Sequence, residues 1–171
     1  MWPFTKKNKG AYQAKAQALV SHARAAAIAT AQSLERSFPQ FQSIQKCGLD
    51  PSWLATFSVG SVGAAYMSIA DNIPERYWNE VHDAIHAELE DWHPRLSDEL
   101  LPFLLTVAEK DIQEKDLSPD LVFGRWLWEI IGLTDEADET VASMACDPEW
   151  HQRVGHMMIA ATHGYWREAA N

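Results

Sequence analysis

Capping residues and prolines divide this sequence into segments whose apolar side chains recur with helical spacing. The alternation of apolar and polar residues that marks half-buried strands is nearly absent. Ser118 precedes Pro119 and Asp147 precedes Pro148, and such pairs are typical of helix starts. Because the connections between segments are short, neighbouring helices should pack mostly antiparallel. The pattern predicts an all-α protein, a single compact bundle of about seven or eight helices.

The predicted helices cover most of the chain. The segment 50–70 is rich in Gly, Ser and Ala, which permit either close helix packing or a break. We expect Asp50, Thr134 and Asp147 to act as N-terminal caps of three of these helices. The approximate ranges are 12–37, a short piece to 46, then 50–70, 72–92, 99–115, 119–131, 134–145 and 148–168.

The length suits one domain. A chain of 171 residues with 47% hydrophobic residues can bury a core without disulfides, so Cys47 and Cys146 should be reduced. We expect residues 1–10 to form a flexible tail and residues 11–171 to form a single helical domain. The first ten residues lack the apolar run of a secretion signal, and no later stretch has the ~20 apolar residues of a membrane span. These observations predict a cytoplasmic protein.

Charge is distributed unevenly along the chain. Residues 1–70 contain seven Lys or Arg against two acidic residues, whereas residues 71–171 contain seven against 22, within a net charge of −10. Such an acidic body repels nucleic acid and attracts cationic surfaces. The sequence therefore argues against direct nucleic-acid binding and favours a protein partner with a basic surface.

Two tryptophans and a following acidic run form the predicted docking face. Trp126 and Trp128 are two residues apart on one helix and cannot face the same way, so we expect one of them, or Trp166 near the end of the chain, to be exposed. An exposed tryptophan beside acids resembles a binding hot spot. The leading hypothesis is a non-enzymatic acidic protein-binding module without a cofactor, in its most specific form an inhibitor or immunity-type partner of a basic toxin. The predicted docking residues are Trp126, Trp128, Asp135, Glu136, Asp138 and Glu139.

Histidines in the helix 72–92 support an alternative hypothesis. His82 and His86 are one turn apart, a spacing that lets two imidazoles share a cation, and Glu90 lies one turn further. Zinc proteases have glutamate directly after the first histidine, where this chain has Asp83. The alternative is a metal-dependent helical protein, a hydrolase binding a divalent metal such as zinc through His82, His86 and Glu90. Histidines at the edge of a core more often only pack and form hydrogen bonds, and this is the interpretation that the sequence favours for His82 and His86.

The sequence leaves two further possibilities open, additional metal ligands and a small-molecule cavity. A complete metal site would need ligands from elsewhere in the chain, with His22, Glu75 and His151 as candidates. A small-molecule sensor would instead need a large apolar cavity lined by tryptophan among the helices. The sequence does not bring any of these residues together.

Overall fold

The computed structural model describes residues 7–167, with side chains from residue 10 onward. Within that range the chain forms nine α-helices and no strand, which confirms the all-α prediction. The helices α1 to α9 are Lys7–Ser37, Gln42–Lys46, Asp50–Met67, Ile69–Asn72, Trp78–Trp92, Leu101–Gln113, Pro119–Gly132, Glu139–Cys146 and Pro148–Thr162. Short 3₁₀ turns lie at Pro39–Phe41 and Glu75–Tyr77, and a π-helical turn at Leu96–Leu100 leads into α6. Apart from the short α2 and α4, seven helices remain, as expected.

Several predicted helix starts are confirmed by capping hydrogen bonds. The side chain of Ser118 accepts from the backbone N–H of Leu121 at the start of α7. Asp147 accepts from the backbone N–H of Glu149 at 2.9 Å, at the start of α9. At α3, by contrast, no side chain caps the helix and Asp50 is already its first residue. Two of these starts are therefore fixed by the residues that the sequence indicated.

Thr134 does not cap a helix, and that prediction is wrong. Its hydroxyl donates instead to the carbonyl oxygen of Ile131, in the last turn of α7. The cap of α8 is Asp138, whose carboxylate accepts from the backbone N–H of Val141 at 2.8 Å. The acidic segment after α7 is consequently a loop, not the first turn of a helix.

The helix α3 lies at the centre of the bundle. It packs against α1, α6, α7 and α9, and an unbroken stretch from Thr56 to Gly63 is buried. Its small residues allow close approach, since Met158 of α9 lies where a side chain on Gly60 would point, and Leu104 of α6 does the same at Gly63. Close packing, rather than a break, is therefore what the Gly- and Ser-rich sequence encodes.

The helices α7 and α9 approach each other even more closely. A Cβ on Gly124 would overlap the carbonyl oxygen of His151, and a Cβ on Gly155 would overlap that of Asp120. Because the earlier residue of one helix meets the later residue of the other, the pair runs antiparallel. The two glycines let the backbones of α7 and α9 meet directly, and this contact fixes how α7 is placed against α9.

Two other pairs of helices run parallel. The hydroxyl of Thr162 donates to the carbonyl of Ser61 at 3.0 Å, and the indole of Trp166 donates to that of Ala65 at 2.8 Å. Contacts therefore advance in the same direction along α3 and the end of α9. The same holds for α1 and α5, where Tyr12 pairs with Tyr77 and Arg24 with Trp92.

The chain ends differ from expectation. The helix α1 begins at Lys7, so residues 7–10 of the predicted tail are helical, while residues 1–6 and 168–171 lie outside the described part of the chain. The helix α9 ends at Thr162, before Gly164 with its positive φ of 71°. Cys47 and Cys146 are free thiols. None of the described helices is long and apolar enough to cross a membrane.

Candidate functional site

The two tryptophans predicted to dock a partner lie in the core. Trp126 and Trp128 are 1% and 0% exposed. The ring of Trp128 lies between Trp53 and Trp150, with centroids 5.7 and 6.1 Å away. The helix that carries both residues packs against α3, α6, α8 and α9, so its opposite faces are both covered. Trp166 is buried as well. The prediction that one of these three tryptophans is exposed is wrong, and none of them can be a surface anchor.

A different apolar side chain is exposed close to the predicted face. Leu133, directly after the last residue of α7, is 81% exposed. Phe103 of α6 is a second exposed apolar side chain, at 49%.

Three of the predicted acidic residues follow Leu133 in the chain and are exposed. Asp135, Glu136 and Glu139 form no ion pair or side-chain hydrogen bond with any described residue. We call Leu133, Asp135, Glu136 and Glu139 the Leu133 surface. It combines one apolar side chain with three carboxylates whose charge is not neutralised within the part of the chain that the structure covers.

Asp138 differs from these three residues. Its carboxylate helps to hold the loop in place. Besides accepting from Val141, its carboxylate lies close enough to the side chains of Ser43 and Cys47 for both to lower its pKa slightly. The bond from the Val141 backbone is the main reason that the pKa of Asp138 lies below its ordinary value. The predicted docking residue Asp138 therefore ties the start of α8 to α2 and positions its acidic neighbours.

No lysine or arginine lies close to the Leu133 surface along the chain. Between Arg125 and Arg153 the chain has seven acidic residues and neither lysine nor arginine. The two flanking arginines are themselves paired, Arg125 with Glu129 at 2.9 Å and Arg153 with Glu149 at 3.1 Å. The stretch of chain that carries the Leu133 surface is accordingly negative.

The predicted metal-binding histidines form an aromatic cluster with a tyrosine. The imidazole of His82 stacks on Tyr66 of α3, with ring centroids 4.4 Å apart and planes inclined by 13°. His86 meets the same tyrosine edge-on at 6.0 Å, and its Nδ1 is hydrogen-bonded to Oγ of Ser97 at 2.9 Å. The cluster therefore joins α5 to α3 and to the π-helical turn.

Burial and neighbouring charge shift two pKa values in this cluster. The pKa of His82 lies below its ordinary value, first because of burial and second because a positive His86 would repel its charge, while Asp83 acts weakly in the opposite sense. Burial is also the main cause of the raised pKa of Tyr66, and Asp83 adds to it. Both shifts favour the neutral forms of the stacked rings.

The lowered pKa of His82 predicts a pH dependence of stability. Because the unfolded chain takes up the proton first, stability is fully present above the ordinary histidine pKa and falls as the pH drops below it. We expect native protein to lose unfolding free energy between about pH 7.5 and pH 5.5, and His82→Phe to lose less. Urea unfolding at the two pH values measures both losses. The exposed His163→Phe is the matched control, and an equal loss in all three proteins would contradict the assignment.

The described residues do not supply a complete metal site. Glu90 is exposed, and no group of three histidine, cysteine or acidic side chains is placed to share an ion in the described part of the chain. The candidate ligands His22 and His151 each place Nε2 2.8 Å from a backbone carbonyl oxygen, of Ala161 and Ala145 respectively. The metal hypothesis thus gains the proximity of His82 and His86 but no third ligand.

Sequence reasoning missed Leu133, Tyr66 and Ser97. A leucine that directly follows Gly132, where α7 ends, is not held to a helix face, and this was the only available signal of its exposure. Nothing in the sequence pairs Tyr66 or Ser97 with the histidines, because the contacts depend on how α3 and the π-helical turn pack on α5.

Comparisons with protein-family models, with curated proteins and with solved structures gave no significant match.

Proposed function

We propose that this chain is a protein-binding module that docks a partner with a basic surface through the Leu133 surface. The observation that carries the proposal is the 81% exposure of Leu133, followed in the chain by three exposed carboxylates that form no ion pair with any described residue. The role is binding rather than catalysis, as the charge distribution of the sequence suggests.

The two kinds of residue have different tasks. Burying an exposed leucine under a partner removes apolar area from water and stabilises the complex by about 1.5–3 kcal/mol when burial is complete. The carboxylates of Asp135, Glu136 and Glu139 contribute mainly to the rate of encounter, because long-range attraction steers a cationic partner toward them. Together they make an anchor with an acidic rim.

The most specific form of the proposal is an inhibitor or immunity-type protein that covers the cationic site of a toxin such as a nuclease. Its support is the net charge of −10 and the seven acidic residues between Arg125 and Arg153 without an intervening cation. An enzyme that binds nucleic acid presents a cationic site, and an acidic protein with an apolar anchor is complementary to it.

Site-specific photo-cross-linking tests the proposal. A photoreactive amino acid replaces Leu133 in one variant and Ile28 in a matched variant, since Ile28 is also exposed, at 48%, but lies in the cationic first third. In cells of the native source we expect a basic protein to cross-link at position 133 and not at position 28. The proposal is contradicted if both positions give the same products, or if position 133 gives none.

Purified partner then allows a quantitative check. Leu133→Ala should raise the Kd by about tenfold or more, as truncation of a central anchor does, without changing the helix content. Ile28→Ala is the control and should leave the Kd unchanged. Equal Kd values for native protein and Leu133→Ala would refute the anchoring role.

A further inference from the structure

A cavity of about 550 Å³ opens between α1, the start of α3, the end of α5 and the π-helical turn. Its volume lies within the range of roughly 300–1,000 Å³ that is typical of small-molecule sites. None of the four residues of the Leu133 surface lines it. Ile130 and Thr134, on either side of Leu133 in the chain, do line it, so the cavity adjoins the Leu133 surface without including its side chains.

The walls of the cavity are largely apolar. Leu54 and Ala55 of α3 contribute from one side, and Leu96 and Leu100 of the π-helical turn from the other, with Ile130 of α7 completing the wall. A ligand that fills this space must present an apolar body to these side chains. Removing such a body from water supplies most of the binding free energy at sites of this kind.

The charged side chains at the cavity are two arginines and one glutamate, alongside the polar residues Ser52, Thr56, His93 and Thr134. The guanidinium of Arg24 lies 4.4 Å from the ring centroid of Trp92 and has no ion-pair partner among the described residues. Arg95 also lines the cavity and is paired through Nε with Glu99 at 2.9 Å. Two arginines thus face one carboxylate.

Helix ends do not reverse this sign. The N-terminal ends of α3 and of the π-helical turn and the C-terminal ends of α5 and α7 all border the cavity, so helix macrodipoles of both signs face it. The sign is set by Arg24, Arg95 and Glu99, and it is positive in a chain whose net charge is −10.

We infer that this cavity binds a small organic monoanion with an aromatic or branched apolar body. The anionic group pairs with Arg24, whose planar guanidinium is held against Trp92 by cation–π contact and presents its N–H edge in a geometry suited to carboxylate or sulfonate oxygens. The apolar body lies against Leu54, Ala55 and Leu100. The positive charge of Arg24 favours an anionic ligand, and the apolar wall of the cavity favours one with an apolar body.

The fluorescent probe anilinonaphthalene sulfonate (ANS) tests this inference, because it combines an aromatic body with one anionic group. We expect the native protein to bind one equivalent with enhanced fluorescence. Arg24→Gln should weaken binding by about tenfold, through loss of a charge-assisted hydrogen bond, and Arg24→Lys by less. Arg36→Gln is the matched control, since Arg36 is exposed on the same helix and does not line the cavity. Equal affinity in native protein and Arg24→Gln would overturn the inference.

An uncharged analogue separates the cavity from general hydrophobic adsorption. Phenylnaphthylamine has the same aromatic body without the sulfonate, so its binding should be unchanged in Arg24→Gln. Ala55→Phe, which fills the cavity, should abolish binding of both probes, and Ser52→Phe provides a second filling variant at its edge. Circular dichroism confirms that the variants compared are folded. Retention of both probes in folded, filled variants would also overturn the inference.

Discussion

Gly155→Ala and Gly124→Ala should destabilise this protein more than alanine at any other described glycine. At Gly155 the new Cβ would overlap the carbonyl oxygen of Asp120, and Gly124→Ala would meet that of His151 in the same way. Backbone atoms cannot rotate aside, so α7 and α9 must separate and disturb the core around Trp126. We expect a loss of about 3 kcal/mol or more for each variant, the upper end of overpacking effects. Urea unfolding followed by circular dichroism measures it.

Two other glycines provide graded controls for this prediction. A Cβ on Gly60 would meet only the thioether of Met158, which can swing away, so Gly60→Ala should cost less. Gly10 lies in α1 with nothing within 4 Å of the added atom, and Gly10→Ala should be neutral or slightly stabilising because alanine favours helix. If Gly60→Ala and Gly10→Ala proved as costly as Gly155→Ala, the close contact between α7 and α9 would not be the cause.

Trp128→Ala should have a comparably large effect on stability. The side chain is fully buried and packs against the rings of Trp53 and Trp150, so its removal leaves a large cavity. We expect a loss of about 3–5 kcal/mol in unfolding free energy. Leu133→Ala should change it by less than about 0.5 kcal/mol, since the leucine is 81% exposed. Stable protein with Trp128→Ala would restore the tryptophan as a candidate surface anchor.

Replacing Trp166 and Trp128 by phenylalanine, one at a time, separates the contribution of an indole hydrogen bond to stability from that of side-chain volume. Nε1 of Trp128 is buried without a hydrogen-bond partner among the described residues, whereas Nε1 of Trp166 donates to the carbonyl of Ala65. Trp166→Phe therefore removes a buried hydrogen bond, although the carbonyl of Ala65 keeps its bonds from Ser68, whereas Trp128→Phe removes none. The first should be the more destabilising of the two by chemical denaturation. The opposite order would indicate that volume alone decides the cost.

Much of the fold follows from the sequence because its determinants are local. Ser118 and Asp147 cap helices through bonds to N–H groups two or three residues away, and the sequence contains both partners. Thr134 failed as a cap because Asp138, four residues later, competes for the same role and also lies close to Ser43 and Cys47. Local signals thus predict that a helix starts, and tertiary contacts decide between nearby caps.

The candidate site depended on packing that the sequence does not contain. The expectation for Trp126 and Trp128 assumed that one face of their helix meets water, but α7 is enclosed by four other helices. Gly124 is the residue that permits this enclosure, because it lets α9 approach the backbone. The acidic positions Asp135, Glu136 and Glu139 were placed correctly at the surface because a run of charges without apolar spacing is rarely buried.

The central claim is that Leu133 anchors a complex whose formation is steered by the acids beside it. The most direct test is the association and dissociation rate constants of the purified complex, measured at several salt concentrations for native protein, Leu133→Ala and Glu136→Lys. We predict that added salt and Glu136→Lys slow association, while Leu133→Ala mainly speeds dissociation by about tenfold. An association rate that does not depend on salt, together with unchanged dissociation in Leu133→Ala, would contradict the account.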